Sequence, residues 1–205
     1  MLGSITPLGE WGRNQRWKVT VAFYVVGSTL GGAAFGAALG AAGEPVTHAL
    51  RSLSERGPLV ALAIAIVVGL ALELHLLGVR LPTIHRQVSQ EWLTAYRGWV
   101  YGLGFGFQLG LGVITIVTTS AVYTTFIACL LSGSPIAGLI IGATFGTIRA
   151  ATVFAARGVT TPEQLEQVEP ALSRFEPPSR YGAHLVNAAL VAVIAASAVI
   201  SLPSP

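Results

Sequence analysis

The stretch VAFYVVGSTLGGAAFGAALGAA, residues Val21–Ala42, decides how the rest of the chain is interpreted. It carries no charged side chain, and a helix of this length, rising ~1.5 Å per residue, crosses the ~30 Å hydrocarbon core of a bilayer. Similar stretches recur along the 205 residues, of which 53% are hydrophobic and only 10% are charged, with a mean hydropathy of +0.68. Because a soluble domain carries about 25% charged residues, this composition excludes soluble enzymes, nucleic-acid-binding proteins and disulfide scaffolds.

The apolar segments predict an all-α, polytopic helix bundle that forms a single transmembrane domain over residues 1–205. The five predicted spans are residues 21–42, 58–78, 98–131, 135–156 and 182–202. Four of them have the length of one crossing, whereas the glycine-rich third segment is too long for one straight crossing and short for two. A steep tilt, an unwound break or a partly re-entrant path would account for its extra length.

The placement of Lys and Arg decides how often the third segment crosses. With one crossing, only Arg51 and Arg56 lie on the side opposite the N-terminus. The basic residues on the N-terminal side are then Arg13, Arg16, Lys18, Arg80, Arg86, Arg97, Arg157, Arg174 and Arg180. Two crossings would nearly equalise the two sides, against the positive-inside rule. We therefore predict a bacterial inner-membrane protein with its N-terminus in the cytoplasm and its C-terminus outside.

Short amphipathic helices are predicted outside the spans. Thr161-Pro162-Glu163-Gln164 has the pattern of a helix start, with Thr as N-cap, Pro at the first helical position and Gln three residues after the Thr. Apolar residues then recur at helical spacing, which predicts a cytoplasmic surface helix over about residues 162–175. Val46, Leu50 and Leu53 predict another helix on the outer side.

Glycine recurs at every fourth position in three of the predicted spans, which places the glycines of each span on one helix face. The expected helix-packing glycines are Gly36, Gly40, Gly102, Gly106, Gly110, Gly138, Gly142 and Gly146. A face without side chains lets a neighbouring helix approach closely, and we favour this packing role. A sliding surface between two conformations is the alternative.

Few strongly polar side chains fall inside the spans, and most of them lie in the cytoplasmic half of the bilayer. The predicted polar intramembrane site comprises Glu73, Gln108, Thr115, Thr118, Arg149 and Asn187. Glu73 and Arg149 have opposite charges at similar depth, so they are predicted to pair. The site is either a polar cavity for a solute, an ion or a proton, or a structural pair with threonine hydroxyls bonded back to helix carbonyls.

The sequence contains no recognisable catalytic or metal-binding arrangement. The chain has no Asp, its four His residues are scattered, and its single Cys residue, Cys129, can form neither an internal disulfide nor a CxxC pair. We therefore expect no enzyme activity, no cofactor and no metal ion.

Three stretches resemble the transmembrane protein family of cytochrome c biogenesis (CcdA/DsbD type). They are FYVVGSTLGGAAFGAALGAAG (Phe23–Gly43), VVGLALELHLLGVRLP (Val67–Pro82) and GLGFGFQLGLG (Gly102–Gly112), the last followed further along by a short SGSP loop. The resemblance implies a glycine-rich helix bundle. On this resemblance the chain is identified as a divergent member without the Pro-Cys pair, since Val113-Ile114 stand where the second Pro-Cys is expected, so the family's thiol chemistry does not follow.

Three functions remain open. The first is a transporter-like protein that moves or binds a small solute or ion at the polar site. The second is an accessory or structural subunit of a larger membrane complex. The third is a thiol-disulfide relay that would use Cys129 with a partner's cysteine. The expected partners are the lipid bilayer and either further copies of the chain or other membrane subunits, with no nucleic acid.

Overall fold

The computed structural model describes residues 5–73, 96–112, 121–161 and 164, and all regular structure in these ranges is helical. The α-helices are α1 (Pro7–Gly12), α2 (Trp17–Ala42), α3 (Glu44–Leu53), α4 (Gly57–Glu73), α5 (Gly98–Leu111), α6 (Ala121–Leu131) and α7 (Pro135–Ala151). A 3₁₀ helix, Thr152–Ala156, continues α7. No strand occurs in this part of the chain, which confirms the all-α class.

Two of these helices are long and apolar enough to cross a membrane. α2 has 26 residues, and α7 together with its 3₁₀ extension has 22. At the usual rise these lengths are ~39 Å and ~33 Å, against a hydrocarbon layer of ~30 Å. The two helices coincide with the predicted spans 21–42 and 135–156. A third crossing is added if α3 and α4, which meet at 106°, form one bent span.

The other predicted spans lie partly or wholly outside the described residues. α4 covers the predicted span 58–78 as far as residue 73. α5 and α6 lie at the two ends of the predicted segment 98–131, of which residues 113–120 are not described. The predicted span 182–202 also falls outside the described ranges. The count of five spans therefore stays a prediction.

The break between α3 and α4 is built from Ser54 and Gly57. Ser54 has extended backbone and ends α3, the amphipathic helix predicted around Val46 and Leu53. Gly57 then lies against the backbone of Leu50, and a Cβ at Gly57 would stand only 2.7 Å from the carbonyl carbon of Leu50. Glycine is therefore required at the start of α4.

The chain divides into two compact units. In the first, whose described residues are 5–35, 96–112, 142–161 and 164, the N-terminal part of α2 packs against α5 and the C-terminal part of α7. Contacts between α5 and α2 advance by four residues on both helices: Gly102 with Thr20, Gly106 with Tyr24, and Gly110 with Ser28. α5 therefore runs parallel to α2. Contacts with α7 advance in opposite directions, from Gly32–Gly142 to Ser28–Gly146, so α7 is antiparallel to α2.

The second unit, with described residues 36–73 and 121–141, contains the C-terminal end of α2, α3, α4, α6 and the start of α7. α6 turns directly into α7 at Gly133, which has a φ of +57° and lies against the side chain of Thr47. Gly43, the residue after α2, lies against the backbone of Leu130 near the end of α6. In the second unit, as in the first, glycines thus allow neighbouring helix backbones to lie in direct contact.

Thr161 and Gln164, the residues predicted to begin the surface helix, are hydrogen-bonded to each other in the structure. The backbone N–H of Gln164 donates to the hydroxyl of Thr161 at 3.4 Å, and the side-chain oxygen of Gln164 accepts from the N–H of Thr161 at 3.2 Å. This reciprocal pair is a capping box. Residues 165–175, which would form the helix body, lie outside the described ranges.

Candidate functional site

The structure describes only part of the predicted intramembrane site. Gln108 on α5 and Arg149 on α7 are half-buried and belong to the first unit. Glu73 is the last residue of α4, and its side chain is not described. The other three predicted residues, Thr115, Thr118 and Asn187, lie outside the described ranges. The predicted pairing of Glu73 with Arg149 therefore stays a prediction.

Arg149 lies in an aromatic environment. Its guanidinium carbon stands 5.6 Å from the centre of the Phe145 ring, one helical turn earlier on α7. A guanidinium at this distance is attracted by the negative face of the ring. The next residue, Ala150, is fully buried in the core of the first unit. Arg149 thus lies on an apolar helix with its guanidinium beside the ring of Phe145.

A buried carboxylate that the sequence did not single out lies at the start of the chain. Thr6 caps α1 by accepting from the N–H of Gly9 at 3.0 Å, and Glu10 follows one turn after the cap. Glu10 is fully buried and accepts hydrogen bonds from three side chains. The donors are the phenol of Tyr101, the hydroxyl of Thr20 at 2.7 Å and the guanidinium of Arg13 at 2.7 Å. We call these four residues the Glu10 cluster.

The Glu10 cluster joins three helices of the first unit around one charge pair. Burying a carboxylate is costly unless it is paired and hydrogen-bonded, and here both conditions hold. Burial would lower the pKa of Arg13, but the hydrogen bonds to Glu10 and Tyr101 outweigh it and raise that pKa. Arg13 also lies 5.7 Å from the centre of the Tyr101 ring. Through these hydrogen bonds the cluster fixes α1 to α2 and α5.

A cavity of about 350 Å³ lies beside this cluster, between the α1–α2 turn and the start of α5. The turn contains Asn14, whose φ of 54° is in the left-handed region that asparagine tolerates better than most residues. The side-chain oxygen of Gln15 accepts from the N–H of Gly98 at 3.1 Å and so joins the turn to α5. Arg16 and Arg97, both of which are exposed, are among the residues that line it. The cavity thus has fixed walls and a positive lining.

Ser28 marks the closest packing in the first unit. A Cβ at either Gly110 of α5 or Gly146 of α7 would overlap the carbonyl oxygen of Ser28. The hydroxyl of Ser28 donates to the carbonyl oxygen of Gly146 at 2.7 Å, and the side chain is fully buried. Beside it, the hydroxyls of Thr29 and Thr147 lie 2.9 Å apart. Three helix backbones therefore meet at one residue, which we call the Ser28 junction.

The predicted packing glycines lie against neighbouring backbone wherever their contacts are known. In the second unit, a Cβ at Gly138 would overlap the carbonyl oxygen of Gly36, and one at Gly40 would overlap that of Ser134. In the first unit, the carbonyl oxygen of Gly142 lies against Gly32. The same close approach occurs at Gly102, Gly106, Gly110 and Gly146.

Cys129 is 1% exposed, and its Sγ lies 3.8 Å from the carbonyl oxygen of Gly138. We expect a maleimide to leave Cys129 unmodified in native membranes and to modify it after denaturation in SDS. The control is Leu53→Cys, because Leu53 is 85% exposed and an introduced thiol there reacts without denaturant. Rapid labelling of Cys129 in native membranes would contradict the packing described here and support a relay role.

No group of three His, Cys, Asp or Glu side chains among the described residues is arranged to hold a metal ion. The chemistry available in this part of the chain is that of charge pairing, hydrogen bonding and helix packing.

Comparison with known proteins gives two relatives. One is a protein named methylamine utilization protein MauF from Methylophilus methylotrophus, 30% identical over 152 residues, which are 70% of this chain and 50% of the relative. The other is a protein of the same name from Paracoccus versutus, 32% identical over 138 residues, which are 64% of this chain and 48% of the relative. The chain thus spans about half the length of each.

These relatives show that the resemblance to the cytochrome c biogenesis family was wrong, because both carry the MauF name. No family model matches the chain, and no solved structure matches it. The stretches that suggested the resemblance are glycine and aliphatic patterns. Such patterns arise wherever helices pack closely in lipid, so they did not distinguish one membrane family from another.

Proposed function

We propose that this protein is a multi-pass inner-membrane protein that takes part in methylamine utilization as an accessory component and not as an enzyme. The observation that carries the proposal is the similarity to two proteins named MauF over 64–70% of this chain. Their name states a role in methylamine utilization, and we extend that role to this chain.

The packing of the first unit supports an accessory role. At the Ser28 junction three helix backbones are in direct contact, and the Glu10 cluster joins α1 to the same helices through buried hydrogen bonds. Both features favour one fixed arrangement of helices over a set of alternating ones. A rigid membrane body of this kind suits a subunit that holds or assembles with other components, either further copies of the chain or other membrane proteins.

A transporter-like role is the second candidate. Gln108 and Arg149 are polar side chains half-buried on apolar helices of the first unit. Polar residues at such positions often mark the path of a solute or ion. In this alternative Glu73 would be the natural counter-ion for methylammonium, the cationic form of methylamine at neutral pH.

The proposed topology has five spans, the N-terminus in the cytoplasm and the C-terminus outside. In the first unit α5 begins beside Thr20, near the start of α2, and runs parallel to it. In the second unit α6 ends beside Gly43, immediately after α2. Both contacts agree with a segment 98–131 that crosses the membrane once in the same direction as α2.

The test is deletion of the encoding gene in its host. We expect growth on methylamine as the sole nitrogen or carbon source to be lost, while growth on ammonium and an ordinary carbon source is unchanged. The wild-type gene supplied in trans should restore growth. A deletion strain that grows normally on methylamine would contradict the proposal.

Uptake of radiolabelled methylammonium by the same cells separates the two candidates. Normal uptake with lost growth supports the accessory role, whereas loss of both supports transport. Arg149→Leu adds a matched comparison, in which the folded yield in membranes is measured separately from growth. Loss of folded yield indicates a structural arginine, while normal yield with lost uptake indicates a transport site.

A further inference from the structure

We propose that the cavity between the α1–α2 turn and the start of α5 binds a phosphate group, of the kind carried by anionic phospholipid headgroups and by soluble phosphate. The inference goes beyond the proposed function, since it concerns a ligand site that neither the accessory nor the transport role requires. It follows from the charges around the cavity, the helix ends that meet there and the fixed geometry of its walls.

The charge around the cavity is positive. Arg16 and Arg97 both contribute to its lining. The nearest buried carboxylate, Glu10, is already occupied by Arg13, Tyr101 and Thr20. Within the described ranges no carboxylate forms an ion pair with Arg16 or Arg97. Two arginines that line one cavity could offer their guanidinium groups to a phosphate, whose oxygens accept paired N–H bonds.

The two arginines also stand at helix starts where a cation is unfavourable by itself. Arg16 immediately precedes α2, and Arg97 is the N-cap of α5 without a side-chain capping bond. Helix starts favour Ser, Thr, Asp or Asn, because the first N–H groups need an acceptor and the helix dipole attracts negative charge. Since α2 and α5 are parallel, both positive ends meet at the cavity. The first N–H of α5 is already bonded to Gln15, so an external anion would act on the two positive helix ends and on the two arginines.

The walls of the cavity are held in place before any ligand binds. Gln15 accepts from the N–H of Gly98 at 3.1 Å, and its own N–H donates to the carbonyl oxygen of Glu10 at 2.8 Å. The hydroxyl of Thr20 is bonded to Glu10 on the inner side. The volume of about 350 Å³ lies within the ~300–1,000 Å³ of ordinary ligand sites. The walls that Gln15 and Thr20 form would therefore be in place before the ligand binds.

The surroundings match the depth of lipid headgroups. Trp17 begins α2, and Trp99 lies in the first turn of α5, where it is 44% exposed and contacts Phe23 with ring centres 5.7 Å apart. Tryptophan is enriched at the membrane–water interface, and basic pockets on the cytoplasmic side bind anionic headgroups. The predicted topology places Arg16 and Arg97 on that side.

The experiment measures lipid binding to the full chain in detergent by native mass spectrometry. Phosphatidylglycerol and phosphatidylcholine are titrated separately against the wild type and Arg16→Gln/Arg97→Gln. We expect the double substitution to weaken phosphatidylglycerol binding about thirtyfold and to leave phosphatidylcholine binding unchanged. The matched control is Arg51→Gln/Arg157→Gln, which removes the same charge from two exposed arginines elsewhere and should bind as the wild type does.

Equilibrium dialysis with radiolabelled inorganic phosphate distinguishes the two sources. If phosphatidylglycerol binding does not depend on Arg16 and Arg97 but inorganic phosphate binding does, the site takes soluble phosphate. If neither depends on them, or if the control loses as much affinity, the proposal is overturned. Arg16→Lys/Arg97→Lys covers the case in which the glutamine variant does not fold. The lysine variant keeps the positive charge but not the planar guanidinium. Its affinity for phosphatidylglycerol should therefore lie between those of the wild type and the glutamine variant, and an affinity equal to that of the wild type would overturn the role of the guanidinium.

Discussion

Replacing Glu10 with alanine is expected to lower the free energy of unfolding by about 3–5 kcal/mol. The substitution leaves the guanidinium of Arg13 without its buried counter-charge, and it removes the acceptor for the hydroxyls of Tyr101 and Thr20. Breaking the pair is costly because the partly exposed guanidinium loses its counter-charge while the buried hydroxyls beside it lose their acceptor. Unfolding of the purified protein in mixed micelles, driven by SDS and followed by circular dichroism, measures the change.

Glu55→Ala is the control for this substitution, because Glu55 is exposed and a change there should stay within about 0.5 kcal/mol of wild type. Tyr101→Phe removes one donor and leaves the charge pair in place, so its effect should be smaller, about 1.5–3 kcal/mol. If Glu10→Ala is no more destabilising than Glu55→Ala, the Glu10 cluster does not hold α1 in place.

Gly146→Ala is expected to destabilise the protein by about 3 kcal/mol, at the upper end of the usual effect of overpacking. The new Cβ would overlap the carbonyl oxygen of Ser28 and stand 2.9 Å from its carbonyl carbon. Both atoms are backbone, so they cannot rotate away as a flexible side chain would. Separation of α7 from α2 would also weaken the hydrogen bond from Ser28 to the carbonyl oxygen of Gly146. The same micelle titration measures the loss.

Gly158→Ala provides a matched control, since a Cβ there meets no atom within 4 Å. It should leave the stability unchanged or raise it slightly, because alanine restricts the unfolded chain. Gly110→Ala places a methyl group against the same carbonyl oxygen from the α5 side and should resemble Gly146→Ala. Equal stability of the Gly146 and Gly158 variants would contradict the close approach at the Ser28 junction.

The helical class and the placement of two spans could be predicted from the sequence because they depend on local properties. Uninterrupted apolar length predicted helices at 21–42 and 135–156, and α2 and α7 occupy those positions. The capping pattern at Thr161 and Gln164 predicted a helix start from a few adjacent residues. Each of these predictions depends only on residues that are near one another in the sequence: the spacing of apolar side chains and their preference for lipid over water.

The Glu10 cluster could not be predicted in the same way, because its partners are distant in sequence. Glu10 and Tyr101 are 91 residues apart, and neither position is unusual by itself. One local indication was present. Thr6-Pro7 begins α1 in the same manner as Thr161-Pro162 begins the later helix, and a carboxylate follows one turn on. That pattern predicts an ordered helix before α2, but not that its carboxylate is buried.

For the polar intramembrane site, the sequence predicts the depth of each residue but not which residues face each other. Depth along a span can be estimated from sequence, and this led to the predicted pairing of Glu73 with Arg149. Depth does not fix the rotation of a helix about its axis, which decides whether two groups at one level face each other. The cavity lined by Arg16 and Arg97 was missed for a related reason. From the sequence, Arg16 and Arg97 were interpreted only as part of the positive charge on one membrane face. The parallel packing of α2 and α5 brings them to one cavity, which the sequence does not show.

The burial of the only thiol in the chain has a practical consequence. A protein whose native cysteine is covered behaves, in labelling experiments, as one that has none, provided that it stays folded. Single cysteines can then be introduced one at a time without first removing Cys129 and disturbing its contact with α7. Impermeant reagents applied to intact cells and to inverted vesicles would report the compartment of each new position, and would so map every loop of the polypeptide.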